Sequence, residues 1–531
     1  MRVETLPFEA LSRFLPPLLL DYLSGKAPVK GLLTGDFRSI DSIGDRAREV
    51  FRPIPADVKG RWEDSLKSFA APAKVMGGLE RLAAGASCVV TGQQPGLFGG
   101  PVYNLYKAAT AVKLAQLVER HTHMPCVPIF WNHSDDHSLA EFSSFGFPAE
   151  EGVAELSLTV DETPVPAYLY DARWVYPALL DRLARVEGLP QGLVDLLRSC
   201  YQDTPAAGFT RLLLSCFGAH GLVPLEPRIL DGETTKKLYA RVLAKPSEVR
   251  AAMEQGAAAV RAAGHEPVLT GSHGTGVFAI REGLRQKIES SNGALTLAGE
   301  KVKAWDLISA GTRLSPQVFL RPIVQDAVLP TCAYVGGPHE LTYFAELRPL
   351  YEHLQIAMPI LVPRLSATLL DPPTARAIEK LGMEPTRLFL KRDDVHAEVI
   401  RAARGNVLTR IDELTASALK GLDEVAPGIL EVDKNLESAL QKTRTNVEHS
   451  LQALQARIVK AVQDREEVQA SRLAKALAFV RPGGDLQERR FGMAAMLSLA
   501  GEGFVSKLIS ALDPLEPGHR LIHLPEELQL I

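Results

Sequence analysis

Two histidines and two aspartates fall within five positions of one another, at His133, Asp135, Asp136 and His137. Imidazole and carboxylate groups bind divalent metals, and they also accept and transfer protons. The four residues follow an apolar run at 124–131. If the segment is helical, the two histidines share one face, since they stand four positions apart. The sequence therefore predicts a site for a metal, for proton transfer or for a polar ligand.

Two alternatives stay open for this segment. Its spacing partly resembles the HxHxDH pattern of metallo-β-lactamase-fold hydrolases, but Trp131 replaces the first histidine and Asp136 the last. No later histidine is placed to complete that set, so we expect no metal site. A metal-dependent hydrolase that uses the two histidines and Asp135 is kept as an alternative function. The other alternative is structural, with Ser134 or Asp135 capping a helix that begins near Asp136.

The elements that position these residues are predicted from periodicity. Residues 88–90 indicate a strand, a glycine-rich loop follows at 92–101, and apolar residues recur at helical spacing through 102–117. The run at 124–131 is apolar throughout, which is typical of a buried parallel strand. Together these pieces form a βαβ unit and predict an α/β fold with a parallel sheet. The histidine–aspartate segment then lies at the carboxyl end of a strand, where ligands bind in such sheets.

The loop Thr-Gly-Gln-Gln-Pro-Gly-Leu-Phe-Gly-Gly-Pro is a second candidate site. A glycine-rich turn that opens a helix presents backbone N–H groups beside the positive end of the helix dipole, which suits a phosphate or carboxylate. It is neither a Walker loop nor a GxGxxG motif, and a plain tight turn is the alternative. Ligand contacts are expected here from Gly92, Gln93, Gln94, Gly96, Gly100, Tyr103, Asn104 and Lys107.

Polar residues interrupt the apolar segment 317–347, whose first part we predict to be a strand. A buried charge is unfavourable unless it is paired, so Arg321, Gln325 and Asp326 either pair with one another or face a ligand. A glycine-rich turn and the start of a helix follow. They add further candidates, namely Gly336, Gly337, Glu340 and Tyr343.

A further buried strand is predicted at 358–370. Arg364 and Ser366 follow its Pro-Ile-Leu-Val-Pro stretch. An arginine at a strand end can bind a phosphate or carboxylate through two hydrogen bonds, and a surface salt bridge is the alternative.

The character of the sequence changes after Pro373. Two long helical stretches flank Pro427 and Gly428, and this predicts an antiparallel hairpin or coiled coil of the kind that mediates dimerisation. We divide the chain into a core at 1–372, an arm at 373–480 and a C-terminal segment at 481–531 that returns to the core. The second stretch carries apolar residues seven apart, at Leu440, Val447, Leu454, Ala461 and Val468.

The composition limits the partners of the chain. With 59 Lys and Arg against 63 Asp and Glu, the net charge is −4, which gives no bulk attraction to nucleic acid or to anionic lipid. No apolar stretch reaches the ~18 residues of a membrane span. The five cysteines are dispersed and form no CxxC pair, which indicates a reducing cytoplasm.

Five motifs occur in a fixed order along the chain: VVTGQQPGLFGGPVYNLYKA, PIFWNHSDDHSLAE, RPIVQDAVLPTCAYVGGPHELTYFAEL, PILVPRLSATLLD and RPGGDLQERRF. Together they resemble the BshC family, the cysteine ligases of bacillithiol biosynthesis, over essentially the whole chain. Ser138 stands where the family commonly has an aspartate, so one carboxylate is missing here. The class I aminoacyl-tRNA synthetase signatures His-Ile-Gly-His and Lys-Met-Ser-Lys-Ser do not occur.

The resemblance implies a Rossmann-like core, similar to class I aminoacyl-tRNA synthetases and carrying insertions, with a coiled-coil arm that supports a homodimer. It implies the addition of cysteine to the amine of glucosaminyl-malate. Amide formation from a free carboxylate is uphill in water, so ATP or ADP is expected as a ligand, with Mg²⁺ accompanying the nucleotide. His133, Asp136 and His137 would be catalytic, and Asp135 would join the binding residues named above. A non-catalytic assembly protein that acts through its coiled coil is a further alternative.

Overall fold

The computed structural model describes residues 2–525 apart from 138–141, 150–151, 160–162, 187–188, 270–273, 292, 392, 396, 398–405 and 464–466. The prediction about Ser138 therefore lies outside the described residues. Contacts divide the chain into two compact units. The first contains Met1–Ala149, Val153–Thr368 and Asp485–Ile531, and the second contains Glu150–Gly152 and Leu369–Gly484.

The strands are numbered in chain order. They are β1 (Arg2–Leu6), β2 (Ser87–Gln93), β3 (Cys126–Asn132), β4 (Ser144–Ala149), β5 (Gly152–Ser157), β6 (Val223–Leu225), β7 (Val277–Arg281), β8 (Leu284–Ser291), β9 (Ala294–Leu297), β10 (Glu300–Val302), β11 (Arg313–Pro316), β12 (Thr331–Gly336), β13 (Ile360–Pro363), β14 (Ser366–Leu370) and β15 (His519–His523).

The α-helices are numbered in the same way. They are α1 (Pro17–Leu23), α2 (Ala27–Lys30), α3 (Ile40–Glu49), α4 (Ala56–Ser68), α5 (Ala73–Ala83), α6 (Tyr103–Thr122), α7 (Tyr176–Leu183), α8 (Gln191–Cys200), α9 (Pro205–Phe217), α10 (Glu233–Ala244), α11 (Pro246–Ala262), α12 (Ala304–Ser309), α13 (Arg321–Val328), α14 (Pro338–Phe344), α15 (Arg348–Leu354), α16 (Pro372–Leu381), α17 (Asn406–Val432), α18 (Glu437–Gln463), α19 (Glu467–Val480), α20 (Gln487–Arg490), α21 (Met493–Ala500) and α22 (Phe504–Ala511). A search of the described residues finds no helix with the length and apolar character needed to cross a membrane.

The core of the first unit is a parallel sheet in the order β13–β12–β2–β3–β6. Helix α6 connects β2 to β3 and packs against both strands, which confirms the predicted βαβ unit and the α/β fold. From β2 the chain builds the sheet first towards β6 and later, on the other side, towards β13. This strand order is that of a Rossmann-type sheet, in which ligands bind at the carboxyl ends of the strands where the order reverses.

Among the described residues, two larger sheets and the two-stranded sheet β4–β5 accompany the parallel sheet. An antiparallel sheet in the order β10–β9–β8–β7–β11 lies in the chain between β6 and β12, so it is an insertion into the Rossmann-like core. The third sheet has the order β1–β15–β14, and it joins the two ends of the chain by pairing Leu6 with His519. The inserted sheet matters for the site because it brings arginines to the edge of the parallel sheet.

Two strand predictions were wrong. Residues 321–328 form helix α13 instead of a strand. The buried residues Leu320, Ile323, Val324 and Val328 follow helical spacing, and a proline in the first turn of a helix loses no intrahelical hydrogen bond. The segment 358–370 forms two strands, because the chain leaves the parallel sheet after β13 and joins the third sheet as β14.

In the second unit, helices α17 and α18 pack against each other as a helical hairpin. Arg444 pairs with Asp423 at 3.2 Å, and Gln455 donates to Asp412 at 3.1 Å. The later residue in α18 contacts the earlier residue in α17, so the helices are antiparallel, as predicted.

The hairpin turn is not at Pro427 and Gly428, where the sequence placed it. Helix α17 continues through Pro427, and the chain reverses after Asp433. The Asp433 side chain accepts a hydrogen bond from the Asn435 backbone N–H at 2.9 Å, which stabilises a turn at this point.

The predicted heptad stripe changes position along α18. Leu440 and Val447 are half-buried, but Leu454 is 46% exposed. The adjacent positions Leu451 and Ile458 are half-buried in its place. A straight helix drifts against a strict seven-residue repeat, which explains the shift of the buried stripe.

Candidate active site

A cavity of about 420 Å³ opens at the carboxyl ends of β2, β3 and β12, where the strand order reverses. Its volume is in the range of small-molecule sites. The parallel strands supply its floor, and the inserted sheet and two helices supply its walls. The lining residues are Gly92, Gln93, Gln94, Trp131, His133, Asp136, His137, Phe278, Arg285, Gln317, Val318, Arg321, Tyr334, Glu340 and Tyr343.

Gly92 is required by the close approach of β2 and β3. A Cβ atom at this position would lie 2.8 Å from both Cβ and the backbone O of Trp131. The backbone dihedral angles of Gly92 are open to any residue, so glycine is required here because there is no room for a side chain. The sequence had placed Gly92 in a ligand loop, whereas in the structure it belongs to β2 and lines the cavity.

Replacing Gly92 with Ala should lower the free energy of unfolding by about 1–3 kcal/mol, because β3 must move to admit the methyl group. Gly77 is the matched control, since a Cβ there meets no atom within 4 Å and Ala favours its helix by roughly 0.5–1 kcal/mol. The test is urea denaturation followed by tryptophan fluorescence, which reports the first unit because all four tryptophans belong to it. Equal stability of G92A and wild type would contradict the packing argument. The tryptophans are Trp62, Trp131, Trp174 and Trp305.

Lys107 and Glu340 form a buried ion pair beneath the cavity. Lys107 Nζ lies 2.5 Å from Glu340 Oε2, and it donates to Gly92 O at 2.7 Å and to Gln93 Oε1 at 2.8 Å. Glu340 also accepts from Tyr334 Oη at 2.6 Å and from a backbone N–H. Burial by itself would raise the pKa of Glu340, but the charge of Lys107 and these donors bring it below its usual value. The carboxylate of Glu340 is therefore negatively charged near pH 7, and it lines the cavity.

His133, Asp136 and His137 line the cavity together, as predicted for catalytic residues, but they lie in a turn and not in a helix. The His133 N–H donates to Gln93 O at 2.9 Å, and the Asp136 N–H donates to His133 O at 3.2 Å. Residues 133–137 are not helical, so the two histidines do not share a helix face. The alternative of a helix that begins near Asp136 extends into residues 138–141, which lie outside the described residues. The turn itself brings all three side chains to the cavity.

The charges of this turn follow from its surroundings. Burial lowers the pKa of His133 to about 4, so its imidazole is neutral near pH 7. His133 Nε2 is buried and has no hydrogen-bond partner among the described residues. Burial and then the neighbouring Arg285 lower the pKa of His137. Asp136 accepts from Gln94 Nε2 at 3.1 Å and from Arg285 Nη1 at 3.4 Å.

Asp135, which is predicted as a binding residue, does not line the cavity. Arg313 Nη2 donates to Asp135 Oδ1 at 2.6 Å, and Arg313 also bonds Tyr168 Oη at 3.0 Å. Asp135 is fully buried by these contacts. Its carboxylate ties the turn to strand β11 of the inserted sheet and thereby directs Asp136 towards the cavity.

Arg321, Gln325 and Asp326 form a hydrogen-bonded chain on α13, and only Arg321 lines the cavity. Arg321 donates to Gln325 Oε1 at 3.1 Å, and Gln325 donates to Asp326 Oδ1 at 2.8 Å. Asp326 also accepts from Tyr351 Oη at 2.5 Å. All three residues therefore pair with one another, through Gln325, and Arg321 alone also faces the cavity.

Burial raises the pKa of Asp326 to about 6. A carboxyl group whose pKa is raised by folding favours the folded state below its unfolded pKa and loses that contribution as pH rises to 6. The stability of the wild type should therefore fall by about 2 kcal/mol between pH 4 and 6 relative to the variant Asp326→Asn. Urea denaturation at pH 4, 5, 6 and 7 measures this difference, and identical pH profiles would count against it.

Much of the glycine-rich loop faces protein and not the cavity. The Gly99 N–H donates to Tyr201 Oη at 2.7 Å, and Tyr201 donates in turn to Gly96 O at 3.2 Å. The Gly100 N–H donates to Leu97 O at 2.9 Å, and Asn104 Nδ2 donates to Gly99 O at 2.9 Å. The structure therefore does not bring Gly96, Gly100 or Asn104 to the cavity, and the N–H groups of Gly99 and Gly100 are already engaged.

Arg364 and Ser366 also lie behind the cavity wall. Arg364 Nη2 donates to Glu488 Oε1 at 2.7 Å, and its guanidinium lies 5.3 Å from the ring centroid of Tyr103. Ser366 contacts Glu488 at 3.2 Å and His519 at 2.8 Å. Burial would raise the pKa of Glu488, but Arg364 holds it below its usual value. These predicted binding residues join the C-terminal segment to the core.

The remaining predicted binding residues surround Glu340. Gly337 donates its backbone N–H to Glu340 at 2.8 Å, Gly336 ends β12, and Tyr343 lines the cavity. Tyr103 accepts from Gln93 Nε2 at 3.3 Å and so supports a lining residue from behind.

Sequence reasoning missed several lining residues. Arg285 and Phe278 come from the inserted sheet, more than 140 positions from the turn they face. The stretch Leu-Arg-Gln-Lys-Ile has three polar residues in a row, so it shows no alternation that would indicate a strand, and nothing in it indicates what its arginine contacts. Tyr334 and Trp131 lie within apolar strand segments, where the sequence pattern indicates core packing and not a ligand contact. Gln317 and Val318 complete the set. Among the described residues, no group of three or more His, Cys, Asp or Glu side chains is arranged to hold a metal ion.

Comparisons with known proteins match both units of the chain. The family model for the bacillithiol biosynthesis BshC N-terminal Rossmann-like domain matches residues 1–365, and the model for the BshC C-terminal coiled-coil domain matches residues 367–524. The Rossmann-like core and the coiled-coil arm are thereby confirmed.

Similar curated proteins carry the description "Putative cysteine ligase BshC". The protein from Koribacter versatilis is 30% identical, with 85% of this chain and 86% of the relative covered. The protein from Thermus thermophilus is 31% identical, with 82% and 88% covered. A relative from Geobacillus kaustophilus is 27% identical, with 99% of this chain and all of the relative covered.

A solved structure from Campylobacter jejuni, described as a "putative arginyl t-RNA synthetase", matches 83% of this chain and 93% of its own, at 12% identity and a TM-score of 0.23. That score carries no argument about the fold, so the similarity to class I synthetases stays a prediction. The two domain models, which together extend over nearly the whole chain, establish that the protein belongs to the BshC family.

Proposed function

We propose that this protein is the ligase that joins cysteine to the amine of glucosaminyl-malate in bacillithiol biosynthesis. Its family and the description of its relatives as cysteine ligases support this assignment. The observation that carries it is the cavity at the reversal of the strand order, where Asp136, His133 and His137 stand together. Such a cavity offers proton acceptors and cations for two polar substrates.

The reaction needs an activated carboxylate and a neutral amine. ATP acts as a co-substrate and gives the cysteine carboxyl group a phosphate or adenylate leaving group. The amine nitrogen then forms the C–N bond, the leaving group departs with its electron pair, and one proton is released. A side chain that accepts this proton raises the rate, since an ammonium group cannot attack.

Asp136 and His137 are assigned the proton-accepting role. Both face the cavity, and Gln94 fixes the orientation of the Asp136 carboxylate. Neutral His133 has a buried Nε2 that is available to a hydroxyl or amine of the substrate. The fully charged Glu340 is suited to an ammonium group of a substrate. No nucleophilic residue of the enzyme is needed.

A cytoplasmic location and a homodimer formed through the arm complete the proposal. The five cysteines are free thiols, which suits a reducing compartment. The hairpin carries exposed apolar residues, which suit a partner helix. They are Leu414, Val425, Val432, Leu436 and Leu454. Sedimentation analysis of the full chain and of a variant with these residues changed to Lys tests the dimer.

Incubation of the purified protein with cysteine, glucosaminyl-malate and ATP tests the activity. Mass analysis should show a product with the combined mass of the two substrates less one water, together with ADP or AMP. Omission of ATP is the control and should abolish the product. If no such product forms with enzyme in stoichiometric amount, the assignment is wrong.

A further inference from the structure

Arg285 is held in one orientation by the inserted sheet. It lies on β8 and is 6% exposed. Its Nε donates to Ser315 Oγ at 3.2 Å, and its Nη2 donates to Pro316 O at 2.8 Å, both on β11. The guanidinium also lies 4.0 Å from the ring centroid of Phe278. Three sides of the group are thus fixed, and Nη1 is left beside the lining residues Asp136 and His137.

The contacts of Nη1 are long. It lies 3.4 Å from Asp136 Oδ1 and 3.3 Å from His137 Nδ1. Charge-assisted hydrogen bonds are normally 2.7–2.9 Å, and the neighbouring Arg313–Asp135 pair reaches 2.6 Å. Arg285 is therefore fixed in direction but only weakly paired with Asp136, so this end of the guanidinium can bind another anion.

Arg321 is a second buried guanidinium in the same cavity. Its described hydrogen bonds go to Gln325 Oε1 at 3.1 Å, to Tyr334 Oη at 3.1 Å and to Tyr343 Oη at 3.4 Å. All three partners are neutral, and the aromatic rings of Trp131 and Tyr334 lie 5.7 and 5.2 Å away. These contacts orient the cation without neutralising its charge.

The charges near the cavity are unevenly placed. Glu340 is paired with Lys107 at 2.5 Å beneath the cavity, and Asp326 lies behind Arg321, on the far side of Gln325. Among the described residues, Arg285 and Arg321 therefore reach the cavity without a carboxylate in close contact, apart from the long contact between Arg285 and Asp136. A buried guanidinium group without a close anion is unfavourable unless an anion joins it, so the cavity suits an anionic ligand.

We infer that Arg285 binds a substrate carboxylate, with Arg321 as the second cation of the site. This inference rests on the proposed function and deepens it, because it assigns substrate recognition to an arginine of the inserted sheet. The Nη1 group, held in a fixed direction by the other contacts of the guanidinium, suits a carboxylate oxygen as a charge-assisted hydrogen-bond donor. When the carboxylate binds, it takes the place of the weak contact from Nη1 to Asp136.

Two substrates can supply this carboxylate, namely cysteine and the malate group of glucosaminyl-malate. Titration calorimetry on the full protein compares each with an analogue that lacks the group: cysteine with cysteamine, and glucosaminyl-malate with glucosamine. The variants are Arg285→Gln, which removes the charge, and Arg285→Lys, which keeps it without the planar fork. Arg281→Gln, at an exposed position on β7 of the same sheet, is the matched control.

R285Q should weaken binding of the carboxylate-bearing substrate about 10- to 100-fold, the range expected for one charge-assisted hydrogen-bonded pair. R285K should show a smaller loss, and R281Q should bind as the wild type does. The analogue without the carboxylate should bind R285Q and wild type equally, which a merely structural role would not produce. Loss for cysteine alone assigns the amino-acid carboxylate, and loss for glucosaminyl-malate alone assigns the malate.

Two results overturn the inference. One is binding of both carboxylate substrates to R285Q within twofold of wild type. The other is an equal loss for a substrate and for its decarboxylated analogue, in R285Q or, if that variant does not fold, in R285K. Failure of the proposed function has a different signature, because the wild type would then yield no ligation product while the titrations still report on carboxylate binding.

Discussion

Replacing Asp136 and His137 together with asparagine is expected to lower kcat/KM for cysteine ligation by about 100-fold or more. Loss of a positioned proton acceptor commonly costs 10²–10⁴ in rate. Both side chains line the cavity, and asparagine preserves hydrogen bonding while removing the acceptor. The fold should persist, because the turn is held by its backbone contacts and by the ion pair between Asp135 and Arg313.

The matched control for this double variant is Asp41→Asn with His121→Asn. These residues form another aspartate–histidine pair, 2.9 Å apart, and Asp41 is largely exposed. Its activity should equal that of the wild type. Initial rates with cysteine, glucosaminyl-malate and ATP, together with thermal melting of each variant, provide the measurement. Undiminished product from the folded Asp136/His137 variant would remove both residues from the mechanism.

Replacing Arg364 with Met is expected to lower the free energy of unfolding of the first unit by about 3–5 kcal/mol. Glu488 is buried almost completely, and the substitution leaves its carboxylate without the guanidinium that lies 2.7 Å away. Ser366 Oγ and the Ala367 N–H still donate to it, but they carry no compensating charge. Removing one member of a buried pair costs more than the pair itself contributes.

A double-mutant cycle isolates this effect. The variant carrying both Arg364→Met and Glu488→Gln should be destabilised by less than the sum of the two single variants, since no charge is then left unpaired. Arg48→Met, at a pair with Asp45 on the surface, should change stability by no more than about 0.5 kcal/mol. Urea denaturation followed by tryptophan fluorescence gives these values. Additive effects in the cycle would mean that the two groups do not interact.

The same experiment separates two roles for Arg364. The sequence predicts a ligand-binding arginine, and such a residue changes KM while leaving stability nearly constant. The structure instead pairs its guanidinium with Glu488, 124 positions later in the chain. Loss of stability is therefore the expected effect of the substitution.

The local parts of the fold could be predicted from the sequence because they depend on short-range patterns. Strand β2, helix α6 and strand β3 follow from apolar periodicity and from the glycine-rich loop between them. The direction of a parallel strand then places His133, Asp136 and His137 at the ligand-binding edge. The long helices of the arm are fixed by their own periodicity as well. The apolar residues of 321–328 are compatible with the spacing of a strand and with that of a helix, and the prediction of a strand from the sequence was wrong.

Only the tertiary structure decided which polar residues face the cavity. Asp135 and Asp136 are neighbours with identical side chains, yet Arg313 buries one and leaves the other to the cavity. Arg285 enters the site from 149 positions beyond Asp136, and no local pattern records such a contact. The sequence determined the strands, the helices and the edge at which a ligand binds, because these follow from the chain's own periodicity. The charges at that edge depend on side chains that folding brings from distant segments, and their pairing is settled only in three dimensions.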